Sequence, residues 1–471
     1  MTDAADIPPG DEPRTDPNAL RDVDDHLNPL WIDRLRAHLA AGEDAEIVDM
    51  MAPLHASDTG DVLVALEADE RVRLVKMLGD RFDYSALTEV DDAIRTEIID
   101  GLPNEQIARG VSALDSDDAV QILEDIDAPA REEILARMPA FERLSLKRSL
   151  DFPEDSAGRR MQTEFIAIPP FWTVGQTIDY LREDKELPDE FFQIYVVDPG
   201  YSLLGTLPLD KFLRARRQVR IEDIMNKNVF EVEAGEDQEE AARMFERYDL
   251  VELAVVDENK RLVGVLTVDD MVDVIHEEAS EDIRLLAGVG DEELSDNVWS
   301  AVRSRSSWLV VNLVTAVLAS IVIGLFDATI EQMVALAVLM PIVASMGGNA
   351  GTQTMTITVR ALALRELDPH RIGRLVLREM SVGLVNGVLF ALLIGIVTAV
   401  RFNNLSLGVV IGMAMTVNMV AAGTAGILIP LALNRLKIDP AIASSTFVTA
   451  ITDVVGFFAF LGLAGLWFGL F

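Results

Sequence analysis

The chain has 471 residues and no cysteine, which excludes disulfide frameworks and thiolate metal centres. It carries 40 Lys and Arg against 78 Asp and Glu; residues 301–471 hold 10 basic and 7 acidic side chains, so residues 1–300 alone carry −41. A surface this acidic repels phosphate and argues against nucleic acid as a partner.

The acidity suits either divalent-cation binding or solubility in concentrated salt. With 7 Lys against 33 Arg the composition reads as that of a salt-adapted, halophilic protein, whose self-repulsion salt would screen. Residues 1–25 are rich in Asp and Pro with few apolar anchors and are expected to be a disordered acidic tail. They show no basic stretch followed by an apolar one, so no cleavable signal is expected and the N-terminal part is placed in the cytoplasm.

Residues 26–155 carry short amphipathic helical patterns: Trp31–Ala41, Asp61–Leu66, Asp91–Ile99, Asn104–Ala113, Ser116–Ile126 and Pro129–Met138. Pro, Gly and Asp punctuate them at about ten-residue intervals, as in a small helical superhelix.

Residues 156–268 contain a repeat. QIYVVDPGYSLLGTLPLDKFL at Gln193–Leu213 matches ELAVVDENKRLVGVLTVDDMV at Glu252–Val272, with Val196, Asp198, Gly205 and Asp210 recurring as Val255, Asp257, Gly264 and Asp269. Each copy reads as strand, turn, strand and helix start, preceded by a helical segment, Val174–Arg182 or Gln238–Tyr248. Paired copies bury each other's sheets. The pattern resembles a tandem pair of CBS domains, a family that often binds adenosine nucleotides. Thr267 and Asp270 match its Ser/Thr-x-x-Asp ribose signature, whereas Pro208 replaces the hydroxyl residue in the first copy.

Residues 269–300 are expected to be an acidic connecting helix and its exit. Asp273, Glu277 and Glu281 lie at i, i+4 and i+8, and Glu278 and Asp282 form a second pair. Like charges so spaced cost about 0.2–0.5 kcal/mol per pair. Either water or divalent cations can relieve that repulsion, and hard carboxylate oxygens select Mg2+ or Ca2+.

Residues 301–471 hold five candidate membrane spans: Trp308–Phe326, Val334–Met346 continuing as a polar stretch to Leu364, Val376–Val400, Leu407–Leu433 and Ile442–Phe471. Basic residues collect on one side: Arg303 and Arg305; Arg360, Arg365, Arg371, Arg374 and Arg378; Arg435 and Lys437. Arg401 stands alone on the other. This bias puts the N-terminal domains in the cytoplasm and, with five spans, the C-terminus outside. In the second span, PIVASMGGNAGTQTMT combines Pro341 with Gly347, Gly348 and Gly351. The expectation is a weakened, broken helix whose carbonyls, with Asn349, Thr352, Gln353 and Thr354, offer neutral oxygens to a hydrated hard cation. In the fifth span, Asp453 is the only charge. A carboxylate at membrane depth costs at least about 2.5–3.5 kcal/mol and is a functional candidate by default.

Together these features resemble the MgtE family of magnesium channels and transporters. PIVASMGGNAGTQ and VTAITDVVGF look like its second- and fifth-span signatures; DQEEAARMFERYD and TVDDMVDVIHEEASEDI look like its second CBS unit and plug helix. The resemblance implies a multidomain α and α/β protein plus an α-helical membrane domain, assembled as a homodimer in the plasma membrane. The pore would run along the two-fold axis, lined by the second and fifth spans. It places Asp453 on a hydrated Mg2+, with Gly348, Asn349, Thr352, Ser445 and Thr449 lining the pore; Thr352 and Ser445 stand where asparagines are expected. It further implies Mg2+-sensing carboxylates at Asp237, Glu239, Asp249, Asp270, Asp273, Glu278, Glu281, Asp282 and Asp439, and in the N-domain at Asp117. Ser85 and Gln121 occupy positions where carboxylates are expected, which puts sites bridging the N-domain and the CBS pair in doubt.

The sequence reading is therefore a Mg2+-selective channel or transporter closed by cytosolic Mg2+, and not an enzyme, with an adenosine nucleotide such as ATP as a further ligand of the CBS pair. With no phosphate-cradling P-loop, ATP-driven pumping is disfavoured. An exporter or antiporter for Mg2+, Co2+ or Mn2+ is the alternative, and a non-conducting nucleotide-sensing receptor is a third reading.

Overall fold

The computed structural model describes residues 16, 18–22, 24–184, 187–188, 190–289, 298–363, 365, 367 and 372–470, without the side chains of residues 443 and 444. Residues 1–15 of the expected tail and residues 290–297 after the acidic helix lie outside these. The chain divides into two compact units, Met1–His276 and Glu277–Phe471.

In the first unit, nine α-helices follow one another: α1 Pro29–Ala41, α2 Asp44–Met51, α3 Ala56–Ala65, α4 Ala68–Leu78, α5 Asp92–Asp100, α6 Asn104–Val111, α7 Ser116–Glu124, α8 Ala128–Arg137 and α9 Ala140–Leu150. Local chemistry sets their ends. Asn28 caps α1 by accepting from the Leu30 amide, Pro29 occupies the first turn, and Gly42 closes the helix at φ 72°. The apolar faces meet in one core that fully buries Leu35, Ile47, Leu63, Leu74 and Ile98. Truncating one of these to Ala costs about 2–5 kcal/mol. Residues 18–22, 24 and 25, within the expected tail, make polar contacts. Arg21 pairs with Asp58 at 2.9 Å and Asp61 at 2.6 Å on α3, and the Asn28 amide donates to the Asp16 and Ala19 carbonyls. The tail expectation weighed apolar anchors and missed these.

The repeat forms two three-stranded sheets. One contains β1 Ala167–Ile168, β2 Gln193–Val197 and β3 Leu203–Pro208; the other contains β4 Glu231–Glu233, β5 Glu252–Val256 and β6 Leu262–Thr267. In each the first pairing is parallel and the second antiparallel. Val196 opposes Gly205 and Val255 opposes Gly264, with the same irregularity one residue later. Helices α10 Val174–Glu183 and α13 Gln238–Tyr248 precede the hairpins. The copies interlock. Gln162, leading into the first copy, bridges Val265 of the second; Asn226, leading into the second, bridges Thr206 of the first. Glycine makes room for each crossing, because a Cβ on Gly205 or Gly264 would lie 2.8 Å from the Asn226 or Gln162 carbonyl. Short helices α11 Leu209–Arg214 and α12 Ile221–Ile224 complete the first copy.

The acidic helix α14 runs Val268–Ala287 and crosses from one unit into the other. Among the described residues the second unit holds five helices long and apolar enough to cross a membrane: α15 Val298–Gly324, α17 Ala335–Ala363, α18 Ile372–Phe402, α19 Leu405–Arg435 and α20 Pro440–Phe468. The short α16, Asp327–Gln332, joins the first two. One expectation fails here. α17 stays helical through Gly347, Gly348 and Gly351. Pro341 lies inside α17, past its first turn, and removes one amide without ending the helix, while the glycines admit neighbouring helices instead of breaking the backbone.

Candidate functional sites: an acidic cavity and a polar membrane face

In the first unit, α7 opens with Asp115, Ser116, Asp117 and Asp118, and α14 opens with Asp269 and Asp270. These two helix starts, with Glu164, Glu190 and Glu252, line one cavity of about 140 Å³. Asp115 pairs no side-chain oxygen with the helix it precedes, so the run exceeds what capping needs. The Ser116 hydroxyl donates to Glu164 at 2.7 Å, and the Thr267 hydroxyl donates to Asp270 at 2.6 Å. Burial, then the charges of Asp270 and Asp118, pushes the Asp117 carboxyl well above the usual range. Burial, then Asp270, raises Asp118 to about 7. Burial also raises Asp270 to about 6, opposed by the Thr267 hydroxyl. Carboxyls that resist ionising side by side make a site that a small hard cation relieves. Asp115 and Asp118 were not anticipated; acids at a helix start read as dipole partners.

The other anticipated sensor residues of this unit do not join the cavity. Asp237 caps α13 through the Glu239 amide, Glu239 pairs with Arg243 at 2.9 Å, and Asp249 ends the same helix in the left-handed region at φ 52°. Twelve residues separate Asp237 from Asp249, a rise of about 18 Å, so the two cannot share an ion. Asp273 is raised by burial, with His276 opposing. Ser85 donates to Asp83 at 2.7 Å, a local turn contact, and Gln121 lies on α7.

In the second unit, Asp439 caps α20 through the Ala441 amide at 2.7 Å. Asp282, near the end of α14, is raised by burial and then by the charge of Asp439. Leu285, three residues on, packs with Met355, Val359, Ala441 and Val448. Glu278 and Glu281 lie half-buried on the same helix. Among the described residues, no three His, Asp or Glu side chains converge closely enough to hold a metal directly. A cation held among these carboxylates would keep part of its water shell.

Deeper along α20, Ser445, Thr449 and Asp453 stand at i, i+4 and i+8, on one face. Asp453 is half-buried and has no hydrogen-bond or ion-pair partner among the described residues. On α17, Asn349, Thr352, Gln353 and Thr356 are exposed along one face. The faces adjoin at Gly348, where a Cβ would sit 4.0 Å from Thr449 Cγ2. Sequence reasoning missed two buried groups behind this face. Glu379 on α18 accepts from the Thr354 hydroxyl at 3.4 Å, and Asn418 on α19 reaches α17. A lone amide within an apolar span is the signal by which the second could have been found.

Five candidate spans, a polar face carrying one carboxylate and a tandem CBS pair define a membrane transporter of cations. The profile of the divalent cation transporter family MgtE matches residues 340–463, that of the MgtE intracellular N domain 54–155, and that of the CBS domain 221–277. The magnesium transporter MgtE of Bacillus subtilis (strain 168) is 30% identical over 419 residues, covering 89% of this chain and 92% of that protein. The magnesium transporter MgtE of Thermus thermophilus is 31% identical over 449 residues, covering 90% and 99%. A crystal structure of the cytosolic domain of the Mg2+ channel MgtE in complex with ATP is 28% identical, covers 52% of this chain and 99% of that one, and superposes with a TM-score of 0.49. The chain belongs to the MgtE family of magnesium transporters.

Proposed function

We propose that the chain is a Mg2+-selective channel or transporter of the plasma membrane, closed by its own acidic cytosolic region when cytosolic Mg2+ is abundant. The observation that carries this reading is the polar face shared by α17 and α20, which meets at Gly348 and Thr449 and presents an unpartnered Asp453. Lipid cannot satisfy such a face, so it must meet water or protein. A homodimer that sets the face against its copy answers both needs, enclosing a wet path with two Asp453 carboxylates. Asn349, Thr352, Ser445 and Thr449 would then contact the ion through its water, which suits Mg2+ because it dehydrates reluctantly.

Regulation rests on the carboxyls of Asp117, Asp118 and Asp270, and on the Asp282–Asp439 pair. Bound Mg2+ supplies the positive charge that lets such groups ionise together. Unneutralised, their like charges disfavour the compact arrangement, and the population shifts toward an open one. Asp237, Glu239, Asp249, Asp273, Glu278 and Glu281 would add weaker contributions. Thr267 and Asp270 line the acidic cavity, where an adenosine ribose would have to displace their mutual bond; the carboxylates around it disfavour polyphosphate that arrives without divalent cations. The basic residues beside the spans support cytoplasmic N-terminal domains and an external C-terminus.

Electrical recording from reconstituted protein tests the proposal. A Mg2+ conductance that falls as Mg2+ is added to the cytosolic side is expected. Mg2+ flux that needs an imposed proton gradient and ignores cytosolic Mg2+ would instead favour an exporter or antiporter.

A further inference from the structure

Helices α18 and α19 form a hairpin whose backbones touch. A Cβ on Gly395 would lie 2.9 Å from the Gly408 carbonyl, and one on Gly408 would collide with the Gly395 carbonyl. Their outward faces leave a furrow of about 550 Å³ along the hairpin, from Val388 to Val400 on α18 and from Leu405 to Thr416 on α19. Its lining is apolar except for Thr416, whose hydroxyl is already spent on the Gly412 carbonyl at 3.0 Å.

Size constrains the occupant. Twelve residues of helix rise about 18 Å, comparable to the roughly 15 Å of hydrocarbon in one leaflet. An apolar furrow of this length matches one acyl chain running along a leaflet.

Charge constrains it further. Arg401 follows Val400 in the last turn of α18 and is the only charged residue between Glu379 and Arg435. It is exposed, has no ion pair among the described residues, and leans over the neighbouring Phe402 ring at 5.6 Å. Exposed Asn403 and half-exposed Ser406 stand in the same turn. Apolar furrow and lone cation thus meet at one end of the hairpin, as the tail and head of an anionic lipid do.

We propose that the α18–α19 furrow is a binding site for an anionic phospholipid, with the acyl chain between the two helices and the headgroup phosphate on Arg401. The furrow lining includes neither Glu379 nor Asn418, the side chains by which these two spans support the polar face of α17 and α20, and its occupancy would tie the protein to the lipid composition of the leaflet that Arg401 faces.

The test uses the full-length protein, purified in detergent and stripped of lipid. It is titrated with dioleoylphosphatidylglycerol or dioleoylphosphatidylcholine, and retained lipid is counted by native mass spectrometry. One arginine near an anionic headgroup should favour phosphatidylglycerol by about fivefold. Arg401→Gln should abolish that preference and Arg401→Lys should keep it. Ala391→Phe, which fills the furrow from a half-buried lining position, should lower retention of both lipids. Equal retention of the two lipids by the wild type, or an unchanged preference in Arg401→Gln, overturns the proposal. So does an altered oligomeric state in Ala391→Phe with lipid retention intact, which would assign the furrow to a second copy of the chain.

Discussion

The Asn418 side-chain amide on α19 donates to the Val343 carbonyl on α17 at 2.9 Å, fully buried in the middle of the membrane unit. Gly347 of α17 and Gly456 of α20 lie against the same amide. A Cβ on Gly456 would be 2.7 Å from it, and one on Gly347 would overlap it. One polar side chain therefore sets the spacing of the two helices that carry the polar face, while its own Oδ1 finds no partner among the described residues.

Asn418→Ala should lower stability by about 1–3 kcal/mol, through a lost hydrogen bond and a cavity. Asn418→Leu, which fills the space and removes the orphan oxygen, should lose less. Thermal unfolding in detergent reads both, and a wild-type midpoint for Asn418→Ala would show that the contact contributes nothing.

Asp453→Ala should reduce selective Mg2+ flux at least about tenfold while leaving the protein folded, because α20 holds no other carboxylate to substitute. Liposome flux and size-exclusion profiles check the two halves of this expectation. Unaltered selective flux would remove Asp453 from the ion path.

Replacing Asp273 with Asn and Glu278 and Glu281 with Gln together should weaken inhibition by cytosolic Mg2+ and spare maximal conductance. Recording at stepped Mg2+ concentrations measures the shift. If the inhibition curve stays in place, these acids form only a solvated face.

Stability should fall as pH rises from about 4 to 7 in a chelator. Asp118 and Asp270 titrate at about 7 and about 6 when folded, against 3.8 ordinarily. Within that window the folded state holds protons that the unfolded state has released, so each step up in pH favours unfolding; above about 7 the effect is complete. Added Mg2+ at pH 8 should restore the lost stability, and Asp118→Asn should flatten the profile. A midpoint that climbs between pH 5 and 8 without Mg2+ in the wild type would contradict the carboxyl pairing.

The sequence was most legible where order is local. Hydropathy placed the ends of the third and fourth spans within a few residues of α18 and α19. The periodic pattern of Gln238–Tyr248 matched α13 end to end, and the Val196/Gly205 and Val255/Gly264 recurrence anticipated a shared strand register. Long-range relations were hidden. The acids at 115–118 and at 269–270 lie far apart in the chain, and each run alone resembles an ordinary helix start. The glycines of the second span suggested a break because their role depends on partners that only packing supplies, Asn418 against Gly347 and Val448 against Gly351. For the site, the lone Asp453 was legible from charge, whereas the company kept by Asp117 was not.

The interlocked lead segments also bear on how the protein comes into being. Gln162 cannot find its place on Val265 until about a hundred further residues have left the ribosome, a separation that slows closure and couples distant parts of the chain. The first copy of the repeat therefore cannot mature by itself during synthesis, and neither copy can be excised without stripping the edge of the other. The two should open and close to hydrogen exchange as one cooperative block, so a lesion in either is felt by both.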